Sequence, residues 1–99
     1  MFKLFNALTK LDLIKKIASN TGLDRSEVSI VIENLMYEIK DSIVKKNSVY
    51  LRGFGTFLAK KKAKKMGRNI TKNTAILIPE HFAPYFKPSK SFVNKVKEK

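Results

Sequence analysis

Residues 60–69 read Lys60-Lys61-Lys62-Ala63-Lys64-Lys65-Met66-Gly67-Arg68-Asn69, six cations in ten positions. The chemistry open to such a run is phosphate neutralisation. On a two-stranded hairpin, lysines on both faces can follow phosphates on either side of a groove and release their condensed counterions. A solvated charged ribbon, or a basic targeting signal, would explain the run taken alone equally well. Catalytic chemistry finds no purchase. His81 is the single histidine, beside Phe82, where a surface or packing role is the ordinary one. Asp24, Glu27, Glu33, Glu38 and Asp41 spread along one helical segment, balancing Arg25 and Lys40 rather than forming an acid/base pair. There is no cysteine, so neither a disulfide framework nor a thiolate zinc site is available. No phosphate-cradling glycine loop, nucleophile elbow or metal spacing occurs. The sequence therefore predicts a binding protein without a cofactor, a metal or a small-molecule substrate, and not an enzyme.

The elements that must position these cations follow from periodicity. Thr9 reads as a helix N-cap with Asp12 three residues on, and Leu13, Ile14, Ile17 and Ala18 recur at helical spacing before Gly22 stops the turn. Asp24 and Glu27 open a second, longer helix as a capping box. Its apolar stripe is Val28, Val31, Ile32, Leu35, Ile39 and Ile43, with Lys45 and Lys46 in its last turn and Asn47 closing it. With only a residue or two between them, the helices should fold back as a hairpin. From Ser48 the period becomes two: Val49 and Leu51 alternate with Tyr50 and Arg52, and Gly53-Phe54-Gly55 reverses the chain. Thr56 restarts a strand that runs on through Lys65 to Gly67, and Thr74 to Pro79 returns. Lys60 to Lys72 then forms a basic arm with too little apolar matter to pack, and it should project into solvent. Pro88 at the first helical position, with Phe92 and Val96 in phase, predicts a short terminal helix. The fold class is α+β: a helical hairpin base, a three-stranded antiparallel sheet with a long protruding β-arm (about residues 60–75), and a C-terminal helix.

Bulk composition sets the bounds. With 99 residues, 43% of them hydrophobic, the chain is one domain with a modest core that a partner subunit would enlarge. Residues 9–99 are read as that domain, and residues 1–8 as a loosely packed or disordered extension too short for a signal peptide. Residues 1–49 hold eight basic and six acidic side chains, whereas residues 50–99 hold thirteen basic and two acidic. One half resembles an ordinary globular segment and the other a surface built to meet polyanions. No apolar run approaches the ~20 residues of a membrane span.

The order helix, helix, Leu51-Arg52-Gly53-Phe54-Gly55-Thr56-Phe57, basic arm, Gly67-Arg68-Asn69, return strand, Phe86-Lys87-Pro88-Ser89-Lys90 resembles the bacterial HU and integration host factor family over about residues 9–97. The resemblance implies an intertwined dimer, of identical chains or with a paralogue, in which four helices form a base and two arms enter the minor groove of double-stranded DNA. It places the protein in the cytoplasm, in the bacterial nucleoid, as an architectural protein that bends and compacts DNA. Phe54 and Phe57 match the family's dimer-core aromatics. Gly53 and Gly55 match its turn glycines, with Gly53 able to approach phosphate. Lys10, Arg52, Lys87 and Lys90 match body positions that meet the DNA backbone. Lys60, Lys61, Lys62, Lys64, Lys65, Arg68, Asn69, Thr71 and Lys72 make up the DNA-binding arm, with Arg68 and Asn69 at the tip. The family usually has a proline directly after Gly-Arg-Asn that wedges between base pairs. Ile70 stands there in this chain, apolar but without the flat pre-set ring, and Asn73 stands where the family's turn has glycine.

Two rival readings fit parts of the pattern. A small basic ribosomal component that binds RNA accounts for the lysines but not for the long apolar helical stripe or the Gly-Phe-Gly-Thr-Phe strand. A membrane-surface protein needs cations bordering an apolar helix face, and the second helix carries acids instead. If Ile70 is the wedge, Ile70→Ala should reduce bending more than affinity. Fluorescence transfer between the ends of a short duplex measures this, and equal bending by the variant would remove that role.

Overall fold

The computed structural model describes residues 7–69 and 74–98. Eight elements follow in order: α1 (Lys10–Thr21), α2 (Arg25–Val44), β1 (Val49–Leu51), β2 (Gly55–Lys62), β3 (Lys65–Asn69), β4 (Thr74–Ile78), β5 (His81–Pro88) and α3 (Lys90–Lys97). The chain falls into two compact units, Met1–Glu38 and Ile39–Lys99. Of the expected extension, residues 1–6 lie outside the described residues.

In the first unit, local hydrogen bonds set both ends of α1. The Thr9 hydroxyl accepts from the Asp12 N–H at 3.1 Å, and the Asp12 carboxylate accepts from the Thr9 N–H at 3.0 Å, a reciprocal capping box. The bond from the Thr9 backbone, then that with its side chain, holds the Asp12 carboxyl below the usual aspartate range, with Lys15 adding to the effect. Gly22, at φ 81°, closes the helix by donating its N–H to Ala18 O at 2.9 Å. Three residues then lead into α2, where the Glu27 carboxylate reaches back to the Asp24 N–H at 3.1 Å. Ile14 of α1 and Val28 of α2 are the only buried apolar side chains among the described residues. Leu13, Ile17, Val31 and Leu35 are exposed despite their place on the apolar stripes.

In the second unit, α2 ends at Val44, two residues earlier than expected. Asn47 N–H donates to Ser42 O at 2.8 Å and Lys46 N–H to Ile43 O at 2.9 Å. This paired pattern requires the left-handed conformation at Lys46, which has φ 66°. A lysine there costs about 1–2 kcal/mol. Two side-chain contacts offset it: Lys46 Nζ donates to Val44 O at 3.3 Å and lies 4.8 Å from the Phe82 ring centre. Lys45 lies beyond the helix and pairs with Asp41 at 3.0 Å.

The sheet follows the expected class with different strands. β1, β2 and β5 form an antiparallel sheet in the order β1-β2-β5, while β3 and β4 pair only with each other as a separate two-stranded arm. The strand expected to run unbroken from Thr56 to Gly67 stops at Lys62 and resumes at Lys65. The third strand is β5, which the prolines at 84 and 88 concealed. As an edge strand, β5 tolerates a residue without an N–H. Pro88 ends that strand rather than opening α3. The cap is Ser89, whose hydroxyl accepts from Phe92 N–H at 3.2 Å.

The register Phe57↔Phe86 and Gly55↔Pro88 gathers four phenylalanines. Ring centres lie 4.7 Å apart for Phe57–Phe86, 5.1 Å for Phe54–Phe86 and 5.5 Å for Phe54–Phe92. The two glycines flanking Phe54 do different jobs. Gly53, at φ 80°, makes the turn closed by Phe54 N–H on Leu51 O at 2.9 Å. Gly55 is buried, and a methyl group there would lie 2.5 Å from the Phe86 ring and 2.6 Å from Lys87 O. Its small size serves sheet packing rather than a turn. Gly55→Ala should therefore cost about 1–3 kcal/mol in urea unfolding, as overpacked sites do. An unchanged unfolding midpoint would contradict the packing.

Candidate nucleic-acid interface

Strand pleating sorts the lysine run. Side chains alternate between faces, and in the β2–β5 register Lys60 pairs with Ala83, Lys61 with Phe82, Lys62 with His81 and Thr56 with Lys87. Lys60, Lys62 and Lys87 therefore share one face with Tyr85, Thr56 and Leu58. The opposite face carries Phe57, Ala59, Phe82, Pro84 and Phe86. Lys61 falls on that second face, where it pairs with Glu80 at 3.1 Å. Glu80 is two residues from Phe82, so the two side chains form the diagonal pair of that register. Lys60, on the first face, lies 4.5 Å from the centre of the Tyr85 ring. Consecutive lysines thus have opposite surroundings: one is neutralised by a carboxylate and the other rests on a neutral ring.

Lys62, Lys64 and Lys65 are exposed and make no ion pair among the described residues. In the arm, Met66 pairs with Leu77, Arg68 with Ala75 and Gly67 with Ile76. A methyl group on Gly67 would lie 2.8 Å from Ile78 Cδ1, so this glycine gives room to a cross-strand isoleucine. Arg68 is exposed on β3. Asn69 ends β3, paired with Thr74. Ile70, Thr71, Lys72 and Asn73 lie outside the described residues.

Three of the four expected body cations lie in the second unit. Arg52 and Gly53 occupy the turn between β1 and β2, and Lys87 lies on β5. Lys90 is the first residue of α3. Ser89 N–H donates to Phe54 O at 2.9 Å, which joins that turn to the start of α3. Lys10 belongs to the first unit, where it forms an ion pair with Glu33. Lys90 stands against the positive end of its own helix, and α3 has no acid in its first turn. That placement is unfavourable by about 0.3–1 kcal/mol.

Sequence reasoning missed Tyr85, Glu80 and Lys46. The first two were findable once β5 had been assigned, because period-two alternation from Lys87 puts Tyr85 with the cations and Glu80 against them. Of the two roles open to His81, surface or packing, the structure has the first: it is exposed, and its Nδ1 donates to Pro79 O at 2.9 Å. Among the described residues no group of histidines, cysteines and carboxylates could hold a metal, and no helix is long and apolar enough to cross a membrane.

The profile of the family described as bacterial DNA-binding protein matches residues 8–97. The chain belongs to this family. It is 33% identical over 90 residues to the DNA-binding protein HU of Thermotoga maritima, covering 91% of this chain and all of that one. It is 35% identical over 82 residues to integration host factor subunit alpha of Nitrobacter winogradskyi, covering 83% and 77% of the two chains. Among solved structures, the cocrystal of Anabaena HU with DNA superposes with a TM-score of 0.84 at 26% identity, covering 90% of this chain and 97% of that one. The family fold is thus present through the sheet, arm and terminal helix. A family member that keeps a lysine at a helix N-terminus should gain stability without it. Lys90→Glu is expected to raise the unfolding free energy by about 0.3–1 kcal/mol and to weaken duplex binding. Thermal unfolding and a binding titration check the two halves, and tighter binding by the variant would contradict the site.

Proposed function

We propose that this chain is an architectural DNA-binding protein of the bacterial nucleoid, without enzymatic activity, that works as a dimer and bends duplex DNA through the minor groove. The observation that carries this reading is the sorted sheet: one face of β2 and β5 offers Lys60, Lys62 and Lys87, and the basic two-stranded arm β3–β4 lies between those two strands in the chain. The DNA-binding role agrees with the family's description and with the HU relatives.

A dimer answers the thinness of the single-chain core. The two buried apolar side chains among the described residues cannot support a folded domain of this length. In the second unit an apolar groove of about 640 Å³ lies open between Ile39, Ile43, Val44, Phe57, Phe82 and Pro84. A second copy covers such surfaces, and Phe54 and Phe57 lie in the cluster at its edge. Two chains at +13 each give a strongly cationic assembly that suits wrapping a bent duplex. Bending a 20–30 base-pair site costs on the order of 1–10 kcal/mol, repaid by the additional phosphates it brings within reach. Arg68, Asn69, Thr71 and Lys72 would meet the minor groove at the arm tip, with Ile70 as the apolar wedge. Readout there distinguishes little beyond A·T from G·C, so groove width and flexibility would set preference.

Each phosphate contact adds about −0.9 to the slope of log K against log salt. Lys62→Gln should therefore flatten the slope by about 2 per dimer, whereas Lys61→Gln should leave it nearly unchanged. Duplex titrations at three or more salt concentrations check this. Equal effects of the two substitutions would contradict the sorting by face.

A further inference from the structure

Tyr85 belongs to neither the arm nor the body cations, yet it occupies the middle of the basic face. Along β5 it lies two residues from Lys87 and two from Ala83, the partner of Lys60. At about 3.3 Å per residue, the Lys87 and Lys60 positions are about 13 Å apart. That is roughly twice the ~6 Å width of the minor groove, so the two cations serve different phosphates. Between them lie only Leu58 and Tyr85, which are cross-strand partners. The Lys60 ammonium rests 4.5 Å from the centre of the Tyr85 ring.

The geometry points to Tyr85 as a positioning residue for DNA binding, one that holds the Lys60 ammonium ready for a backbone phosphate. The inference rests on the reading that duplex DNA is the partner. Lysine has a flexible four-carbon stem, and fixing it on binding costs side-chain entropy. A neutral aromatic face restrains the ammonium beforehand without cancelling its charge. The neighbouring lysine shows the contrast: Lys61 is also restrained, but by the Glu80 carboxylate, which consumes the charge a phosphate would need. Tyr85 is 41% exposed, so the ring is open to the same solvent that a duplex would displace.

The test is a mutant cycle on full-length protein, read by titration of a 30-base-pair duplex at fixed salt, with thermal unfolding of each variant alongside. An exposed cation–ring contact corresponds to about 2–5-fold in affinity per protomer, hence about 4–25-fold for a dimer. Tyr85→Leu should lose that much. Tyr85→Phe, which keeps the ring, should bind within about twofold of the native protein. Lys60→Gln should weaken binding, and adding Tyr85→Leu to it should cause no further loss. A phenylalanine variant as weak as the leucine variant, or independent losses in the double variant, would overturn the assignment. Should Tyr85→Leu unfold, the phenylalanine variant and Lys60→Gln still decide, because a loss in the former or none in the latter overturns it. Native protein that fails to bind the duplex at all would overturn the functional reading itself, and this assignment with it.

Discussion

The structure depends on a shortage of buried apolar surface. Among the described residues one chain buries only Ile14 and Val28, while the stripes of α1 and α2 and the groove beside Phe57 and Phe82 stay open to water. At about 25 cal/mol per Å² of apolar area, two side chains provide only a few kcal/mol. That falls far short of the conformational entropy of ordering some ninety residues. On the proposed reading, a partner subunit covers the remaining apolar area. Everything the arm does follows from this, because a basic hairpin that pairs only with itself has its geometry set by the body that anchors it.

A second constraint decides how the charge is used. A strand turns successive side chains to opposite faces, so three lysines in a row cannot act alike. Lys60 and Lys62 share a face with Lys87. Lys61 lies among phenylalanines and prolines and is met by Glu80, one of only two acids in the basic half of the chain. The sheet thus presents cations to one side and hydrophobic matter with a neutralised charge to the other. A face with that composition can meet a duplex, while its reverse can join a core.

Much of this was legible in the residues. Thr9, Asp12 and Gly22 announced α1 because capping is local chemistry, and the stripe from Val28 to Ile43 announced α2 because helical periodicity needs no tertiary context. The turn at Gly53 was equally readable, whereas the start of α3 was set two residues too early, at Pro88. What escaped was β5, since Pro84 and Pro88 signal an interruption unless the strand is known to be an edge. With β5 missing, the pairing that separates Lys60 from Lys61 could not be drawn. Both Tyr85 and Glu80 then lacked a face. The left-handed residue at Lys46 escaped for a related reason: asparagine is the better candidate by propensity, and the ring of Phe82, which supports the lysine, comes from a strand far along the sequence.

The central claim is that folding and association are one event. Thermal unfolding followed over a hundredfold range of protein concentration tests it most directly. A dimer-dependent fold predicts a midpoint that climbs steadily with concentration. A midpoint that stays fixed across that range would mean that one chain folds alone, and the account would fail.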